Sequence, residues 1–579
     1  MWLARKRRSW QIELPHIGLL PGGTYCLSHS TTAASASPSA IVEALTRSIS
    51  PLRPCVPLFQ ASIASRVASL WWIANTGPAT RTASSGSVTT TAISMMRSRS
   101  GDRPVISRSI QTRLLSWRAS VAGSAVGLSV IGVFRGVESA ADSRSPTLAA
   151  MHSTLPALAA SFTLSMVFAA TLMASLAVKF WLATRQMRHV AAHRDRVPAA
   201  FAGRITLQAH QRAADYTLAK GRLGLVAAAF GAAVLIGWTL LGGLDALNLA
   251  LRDAVQPRWG DMAYQLALLA AFALVSGAID LPLDLYSTFR VEQRFGFNRM
   301  TWQLYVADMA KGTLVGALVG LPIAALVLWL MHAAGSYWWL WAWGAWMAFN
   351  LILLVLYPTV IAPLFNKFEP LADDELRARV QALMARCGFA AKGLFVMDGS
   401  RRSAHANAYF TGLGAAKRVV FFDTLLAKLS AGEVEAVLAH ELGHFKHRHV
   451  AKRIAAMFAL SLAGFALLGW LSAQVWFYLG LGVVPNLGAP NDALALLLFA
   501  LALPVFGFFV TPLFARLSRR HEFEADAYAS AQASSADLAA ALLKLHEDNA
   551  ATLTPDPVYV RFYYSHPPAG ERLAALGHA

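Results

Sequence analysis

Charged side chains are scarce in this chain of 579 residues, at 14% of the total against roughly 25% in a typical soluble domain. Hydrophobic residues make up 56%. So few charges cannot cover the surface of a water-soluble protein of this size, and the same composition excludes a chain that is disordered throughout. Cysteine is scarcer still, with three residues, which excludes a disulfide scaffold and a cysteine-ligated metal site. The composition indicates a polytopic membrane protein.

Acidic residues are few in residues 1–150, which hold 5 of them against 16 lysines and arginines and so carry +11 of the net charge of +19. The stretch shows no sustained helical or alternating period, and its apolar runs fall short of the roughly 20 residues that span a bilayer. A transit peptide and a nucleic-acid-binding arm are weaker interpretations, and no nucleic-acid partner is expected. We interpret 1–150 as a disordered or mis-annotated N-terminal extension, with Met151 as the hypothetical start.

Seven stretches after Met151 are long and apolar enough to cross a bilayer as helices. They are Leu155–Trp181, Leu223–Leu241, Met262–Pro282, Gly312–Met331, Trp338–Pro358, Ile454–Val475 and Ala493–Leu513. Lysine and arginine cluster in the connections 182–222 and 283–311 and are rare in 252–261 and 485–492. Because positively charged loops stay in the cytoplasm, this bias predicts that the long loops and the C-terminus are cytoplasmic. Short loops and the preference for arginine over lysine favour a bacterial inner membrane.

The chain therefore divides into membrane and cytoplasmic parts. Residues 151–358 are predicted to hold transmembrane helices one to five with their cytoplasmic loops, and 454–513 to hold helices six and seven. Two cytoplasmic segments with ordinary soluble patterning remain, 359–453 and 514–579. The elements predicted for the first of these are a helix at Asp373–Gly388, strands at Gly393–Met397, Ala408–Phe410 and Arg418–Phe422, and a helix from Ala431.

The first cytoplasmic segment contains His440-Glu-Leu-Gly-His444, on a helix whose start is marked by the capping-box residues Ser430 and Glu433. Residues four apart lie on one face of a helix, so both imidazoles can bind a single Zn²⁺. Glu441 follows the first imidazole, where its carboxylate can act as a general base toward water. Such a match arises by chance only about 0.01 times in a chain of this composition, so coincidence is a poor explanation.

The second cytoplasmic segment is predicted to supply the third metal ligand. Catalytic zinc takes three protein ligands and keeps one position open, and Glu522 is the candidate. Asp526, one turn further on, is placed to accept a hydrogen bond from a ligand imidazole. Glu524 points away from this face of the helix and is expected to be solvated. His447 and His449 lie among lysine and arginine and are expected on a basic cytoplasmic face.

Residues 151–579 resemble the integral-membrane zinc metallopeptidases of the CAAX prenyl protease type, the type I enzymes that cleave isoprenylated C-terminal tails. The motifs that carry the resemblance are His440-Glu-Leu-Gly-His444, Glu522-Phe-Glu-Ala-Asp526, Asn407-Ala-Tyr-Phe410, Phe295-Gly-Phe-Asn-Arg-Met-Thr301, Tyr357-Pro-x-x-Ile-Ala-Pro-Leu-Phe-Asn366, and Ser565-His-Pro-Pro568 with Arg572. The resemblance implies an all-α polytopic membrane protein of about seven transmembrane helices with a small cytoplasmic α+β, gluzincin-like catalytic domain. It also implies a water-filled chamber with the zinc site at its cytoplasmic end.

The same resemblance assigns roles to individual residues. The implied ligands of one Zn²⁺ per chain are His440, His444 and Glu522, with Glu441 as the general base. Asn407 and the strand beside it are implied to bind the substrate backbone, and His566 and Arg572 to assist at the transition state. Judged from the sequence alone, a histidine before two prolines is more often a turn residue.

The predicted function is zinc-dependent hydrolysis of peptide bonds near the membrane by a CAAX prenyl protease-like endopeptidase. The expected partners are the lipid bilayer and a peptide or protein substrate, lipidated or membrane-embedded. One alternative keeps the chemistry in a bacterial quality-control protease that has no prenylated substrate. A less favoured alternative is a non-catalytic metal-binding scaffold or transporter, because polar groups within the spans are few, chiefly Asp280 and Asn350, and no repeat symmetry is evident.

Overall fold

The computed structural model describes residues 146–389, 393–411 and 418–578, with side chains described from residue 156 onward and not at 410 and 411. The predicted N-terminal extension, residues 1–150, lies outside the described residues except for 146–150. The fold below refers to the described ranges.

Helices dominate the described part of the chain, which also contains four short strands. The helices are α1 (Pro146–Ala192), α2 (Leu207–Trp238), α3 (Gly243–Tyr286), α4 (Trp302–Ala333), α5 (Trp338–Leu356), α6 (Asp374–Arg386), α7 (Asp423–Leu426), α8 (Ala431–Lys446), α9 (His449–Leu471), α10 (Val475–Gly480), α11 (Asp492–Gly507), α12 (Thr511–Gln532), α13 (Ser535–Asp548), α14 (Pro557–Tyr563) and α15 (Ala569–Ala575). The strands are β1 (Phe368–Pro370), β2 (Gly393–Met397), β3 (Ala408–Thr411) and β4 (Arg418–Phe422).

Seven helical stretches of the described part are long and apolar enough to cross a membrane, which confirms the predicted number. They are Pro156–Ala192, Leu207–Trp238, Gly243–Glu292, Trp302–Ala333, Gly335–Leu364, His449–Leu471 and Asp492–Gln532. Each overlaps a predicted span, but several extend well beyond it. The predicted connection 182–222 is largely helical, and 252–261 lies inside α3, which breaks only at Gly260, where φ is +77°. The spans therefore continue as helices outside the lipid.

The membrane helices are thinly covered by protein. Within the most apolar part of each span, between 6 and 22% of the residues are buried in six spans and 44% in the seventh. Extended apolar surface of this kind needs a lipid environment. Low burial is also what a single ring of helices around an enclosed space would show, and the chamber implied by the family resemblance stays a prediction.

The soluble part is built on a four-stranded sheet in the order β1-β2-β4-β3. The central strands β2 and β4 run parallel, while β1 and β3 pair antiparallel to them at the two edges. The predictions of β2, β3 and β4 are confirmed. Strand β1 was not predicted, because three residues ending in a proline are too short to show an alternating pattern. The outer edge of β3 has no strand partner among the described residues.

Helices α6, α8 and α13 share one hydrophobic core with the sheet. This core includes Val380, Val420, Ala439 and Leu542, none of which is more than 4% exposed. Removing the apolar surface of four such side chains from water stabilises the fold by several kcal/mol. The helix that carries the His-Glu-x-x-His motif is thereby fixed against the sheet along one side.

Both segments that carry predicted metal ligands are continuous with membrane spans. Helix α8 ends at Lys446, Arg448 takes a left-handed φ of +55°, and α9 begins at His449 and enters the membrane. Helix α12 follows α11 after a single 3₁₀ turn at Phe508–Val510. The site that these helices carry therefore lies close to the end of two membrane spans.

Candidate active site

The start of α8 is fixed by the predicted capping box, which the structure contains. The backbone N–H of Ser430 donates to Glu433 Oε2 at 2.7 Å, and the backbone N–H of Glu433 donates to Ser430 Oγ at 3.4 Å. Lys544 Nζ also donates to Glu433 Oε2 at 2.7 Å, which ties α8 to α13. Such a reciprocal cap satisfies two of the four free N–H groups at a helix start.

Glycine at position 443 lets α8 approach α12 closely. A Cβ on Gly443 would lie 2.9 Å from the Cα and 3.0 Å from the carbonyl oxygen of Ala525, so any larger residue would push the two backbones apart. Ala525 lies between Glu522 and Asp526 on α12 and is fully buried. The glycine inside the motif thus sets the distance between the imidazoles on α8 and the carboxylates on α12.

The two histidines of the motif meet Glu522 at the centre of this contact. His440 Nε2 lies 3.2 Å from His444 Nε2 and 3.4 Å from Glu522 Oε2. His444 Nε2 lies 3.3 Å from Glu522 Oε1. Glu522 is 3% exposed, and its Oε2 accepts no hydrogen bond from the described residues. A buried carboxylate oxygen with no donor, beside two imidazole nitrogens, points to a cation as its missing partner.

The spacing of these three ligating atoms fits a zinc ion. Zinc binds imidazole nitrogen and carboxylate oxygen at about 2.0–2.2 Å in tetrahedral geometry, which separates neighbouring ligand atoms by about 3.3–3.6 Å. The observed separations are 3.2, 3.3 and 3.4 Å. Three protein ligands would leave one position of the tetrahedron open, as catalytic zinc sites do.

Asp526 and Arg572 lie behind His440. Asp526 Oδ1 is 2.8 Å from His440 Nδ1, and Arg572 Nε donates to Asp526 Oδ2 at 2.8 Å. Burial by itself lowers the pKa of His440, but the neighbouring carboxylates of Asp526 and Glu522 outweigh it and raise that pKa to about 9. Because a metal binds only the deprotonated nitrogen, metal binding must release that proton.

His449 and Glu524 differ from their sequence-based predictions. His449 is not on a basic surface: it is 2% exposed, and its Nδ1 lies 3.0 Å from His444 Nδ1. Its Nε2 lies 2.9 Å from Glu524 Oε2, so Glu524 is a hydrogen-bond partner of a buried imidazole and not merely a solvated acid. His447 is exposed, as predicted. Arg448, between α8 and α9, has a left-handed φ of +55°, and His449 contacts the ligand imidazole of His444 directly after it.

A small cavity of about 50 Å³ opens beside the ligands, room for a few water molecules. The predicted functional residues that line it are Asn407, His440, Glu441, Glu522, His566 and Arg572. Burial raises the pKa of Glu441 to about 7, close to the value that suits a general base at neutral pH. The backbone N–H of Ala408 donates to Asn407 Oδ1 at 2.8 Å, which orients the amide at the start of the edge strand β3.

His566 reaches the cavity from the C-terminal part of the chain. Its Nε2 lies 3.3 Å from Glu522 Oε1, and its Nδ1 lies 3.0 Å from Ser565 Oγ. Burial lowers the pKa of His566 to about 4, so the imidazole is neutral at pH 7. Arg519, which the sequence did not single out, donates to the carbonyl oxygen of Val560 at 2.9 Å and so anchors α14 to α12. The loop that carries His566 follows that anchor.

All eight residues predicted for the site thus lie in one region of the protein. Their roles are not tested by position alone. Arg572 in particular is 3% exposed and pairs with Asp526, and its Nη1 lies 3.8 Å from Glu522 Oε2. Its part in the transition state stays a prediction.

Comparison with known families accounts for the chain from residue 186 onward. Residues 186–367 match the family described as CAAX prenyl protease N-terminal, five membrane helices. Residues 370–579 match peptidase family M48.

Individual relatives agree with these matches. The chain is 37% identical over 336 residues to the CAAX prenyl protease 1 homolog of Arabidopsis thaliana, covering 56% of this chain and 77% of that protein. It is 32% identical over 402 residues to CAAX prenyl protease 1 of Saccharomyces cerevisiae, covering 66% and 89%. The crystal structure of S. mikatae Ste24p is similar with a TM-score of 0.67 at 29% identity, covering 71% of this chain and 99% of that one.

Seven membrane-spanning helices joined to an α+β domain with a His-Glu-x-x-His helix define a membrane-embedded, multi-pass metalloprotease. The chain belongs to the CAAX prenyl protease family of M48 peptidases. Metalloendopeptidase activity, a metal cofactor and a peptide or protein substrate follow from that membership.

Proposed function

We propose that this chain is a zinc-dependent endopeptidase that hydrolyses peptide bonds at the membrane surface, with one Zn²⁺ bound by His440, His444 and Glu522. The observation that carries this proposal is the triangle of ligating atoms, with sides of 3.2 to 3.4 Å, that two helices from separate parts of the chain form. Two imidazoles and one carboxylate are a donor set that catalytic zinc takes in other proteases.

Bound Zn²⁺ would supply Lewis-acid polarisation of the substrate carbonyl and make water more acidic. Glu441 takes the proton of the attacking water and delivers it to the amine of the leaving peptide, so the carboxylate ends the cycle as it began. Its burial and its pKa of about 7 support both transfers near neutral pH. His566 and Arg572, on the same cavity, donate hydrogen bonds to the oxygen on which negative charge develops.

We assign the substrate backbone to Asn407 and the adjacent edge strand β3. An extended peptide can add to the edge of a sheet through main-chain hydrogen bonds. The cavity that Asn407 shares with Glu441 and His440 lies next to the start of β3. A peptide paired with β3 would therefore pass beside the general base.

The proposed domain division places the catalytic residues in 359–453 and 514–579, with the two crossings of 454–513 between them and helices one to five in 151–358. We propose that both catalytic segments face the cytoplasm of a bacterium whose inner membrane contains the spans. The basic connections on that side of the membrane support this orientation.

The proposed substrate is a peptide that carries a lipid or lies in the membrane, because both catalytic segments continue directly into membrane spans. Relatives named CAAX prenyl protease favour an isoprenylated C-terminal tail. The alternative is a quality-control protease that cleaves damaged membrane proteins without a prenyl group. Matched peptides with and without an isoprenyl group separate the two, since only the first alternative predicts a preference for the prenylated peptide.

The experiment that tests the catalytic proposal compares purified wild-type protein with Glu441→Gln in detergent. The wild-type protein should cleave a peptide, lose activity with a zinc chelator and recover with added Zn²⁺. Glu441→Gln should retain one zinc per chain and lose nearly all activity. Cleavage by Glu441→Gln with zinc still bound would rule out Glu441 as the general base, and a wild-type protein that binds zinc without any cleavage would support a non-catalytic scaffold.

A further inference from the structure

The two histidine ligands are supported in different ways. His440 Nδ1 meets a carboxylate directly, with Asp526 Oδ1 at 2.8 Å. His444 Nδ1 instead lies 3.0 Å from His449 Nδ1, and His449 Nε2 lies 2.9 Å from Glu524 Oε2. The carboxylate of Glu524 therefore reaches the ligand His444 only through the imidazole of His449.

The order of hydrogen-bond donors along this chain of contacts is determined by its two ends. The ionised carboxylate of Glu524 can only accept, so the proton of a neutral His449 sits on Nε2 and its Nδ1 has a lone pair. That lone pair accepts from the Nδ1–H of His444, which leaves the Nε2 lone pair of His444 free for a metal. The reverse order would place a hydrogen on His444 Nε2, where it would block ligation.

We propose that Glu524 and His449 form a positioning relay for His444, which fixes the orientation of its ring and the tautomer that can bind a metal. The proposal rests on the zinc site proposed above. Neither residue touches the metal or the reacting atoms, so both act through His444. Partners of this kind orient metal-binding imidazoles and raise their basicity.

Both members of the relay are themselves fixed in place. His449 begins α9 directly after the left-handed residue Arg448, and its ring lies nearly parallel to that of His521, with 4.0 Å between centroids and 12° between planes. Arg520 Nε donates to Glu524 Oε1 at 3.0 Å, which leaves Oε2 to His449. A partner with a single orientation can impose that orientation on the ligand.

The same residues offer a competing interpretation, a second cation site. Ligating atoms of His447, His449 and Glu524 lie within 4.8 Å of one another. However, both nitrogens of His449 are already in hydrogen bonds, and a cation would have to displace the contact with Glu524. His447 is exposed and is flanked in sequence by Lys446 and Arg448, whose positive charges oppose a cation there. These observations favour the relay.

The test measures metal binding by the full chain in detergent. Zinc affinity is determined by competition with a chromophoric chelator, and the visible absorption of the Co²⁺-substituted protein reports the ligand geometry. His449→Phe keeps a flat ring beside His521 but removes both hydrogen bonds, and Glu524→Gln removes the charge at a partly exposed position. We expect both variants to lose zinc affinity, by about 10- to 100-fold for His449→Phe and less for Glu524→Gln, with altered Co²⁺ bands.

The matched control is His447→Phe, which removes an exposed imidazole of the same cluster and should keep wild-type affinity and Co²⁺ bands. Glu524→Gln gives an answer even where His449→Phe fails to fold. Wild-type affinity and unchanged bands in both relay variants would overturn the proposal, as would an equal loss in His447→Phe. So would a second zinc in the wild-type chain that both His449→Phe and His447→Phe remove, because both residues belong to the competing cation site. If the wild-type chain binds zinc and cleaves peptide while the relay variants bind zinc with wild-type affinity, only the relay proposal is overturned. A wild-type chain that binds no zinc overturns both the relay proposal and the proposed zinc site.

Discussion

Asp526 Oδ1 lies 2.8 Å from His440 Nδ1, although 86 residues and two membrane crossings separate them in sequence. An ionised carboxylate in this position can only accept, so it keeps the hydrogen of the imidazole on Nδ1. The lone pair of Nε2 is then directed at His444 and Glu522, the other proposed ligands. The contact therefore links the fold of the C-terminal segment to the metal affinity of α8.

Replacing Asp526 with Asn should lower zinc affinity about 10- to 100-fold, because an amide can donate as well as accept and no longer fixes the tautomer of His440. The affinity is measured by chelator competition on purified protein. Asp548→Asn, which removes a partly buried ion pair with Lys428, is the control and should bind zinc normally. Normal zinc binding by Asp526→Asn would show that the contact does not support the metal site.

Gly443→Ala should destabilise the protein by about 1–3 kcal/mol, because the new methyl group would overlap the backbone of Ala525. The melting temperature and the zinc affinity should both fall, since the same shift separates the imidazoles from Glu522. Gly464→Ala in α9, where nothing lies within 4 Å of the new Cβ, is the matched control and should melt at or above the wild-type temperature. Equal melting of both variants and the wild type would contradict the packing argument.

His566→Phe removes a hydrogen-bond donor and should lower kcat by about 10²- to 10³-fold, the loss typical of one donor to a developing oxyanion. KM and zinc affinity should stay within about threefold of the wild type, because His566 contacts Glu522 only at 3.3 Å and is not a proposed ligand. His578→Phe, near the C-terminus, is the matched control. A loss of zinc that matches the loss of activity would assign His566 to the metal site and not to the transition state.

The contribution of Glu433 to stability should depend on pH. Burial by itself raises the pKa of Glu433, but hydrogen bonds from Lys544 and the Ser430 N–H outweigh it and hold the pKa below its ordinary value. A carboxyl group whose pKa is lower in the folded state than in the unfolded state stabilises the fold at pH values above its unfolded-state pKa. That stabilisation is lost as the pH falls through the folded-state pKa. Glu433→Gln should therefore melt below the wild type at pH 7, by a margin that shrinks as the pH is lowered below about 4. Glu547→Gln, at an exposed position, serves as the control. A difference in melting temperature between Glu433→Gln and the wild type that grows on acidification would refute this account.

The features that could be predicted from the sequence are those with strong local signals. Each membrane span is a long apolar run, and His440 and His444 are four residues apart on a helix with a capping box. The ends of the membrane-spanning helices were less predictable. Helix α2 begins at Leu207 and not near Leu223, because a helix that continues outside the lipid has polar residues and no apolar run.

Two residues that act through contacts with distant parts of the chain escaped prediction. His449 was assigned to a basic surface from its neighbours in sequence, and that assignment was wrong because Arg448 adopts a left-handed conformation that no local pattern announces. Arg519 was likewise not recognised, since its partners are backbone carbonyls near Val560. Glu522 could be predicted only because zinc chemistry requires a third ligand.

The central claim is that ligands from two separate segments bind one Zn²⁺, and anomalous diffraction at the zinc absorption edge tests it most directly. The account predicts one peak per chain, within about 2.0–2.2 Å of His440 Nε2, His444 Nε2 and a carboxylate oxygen of Glu522. A peak at another position, or a Glu522 side chain turned away from the ion, would contradict it.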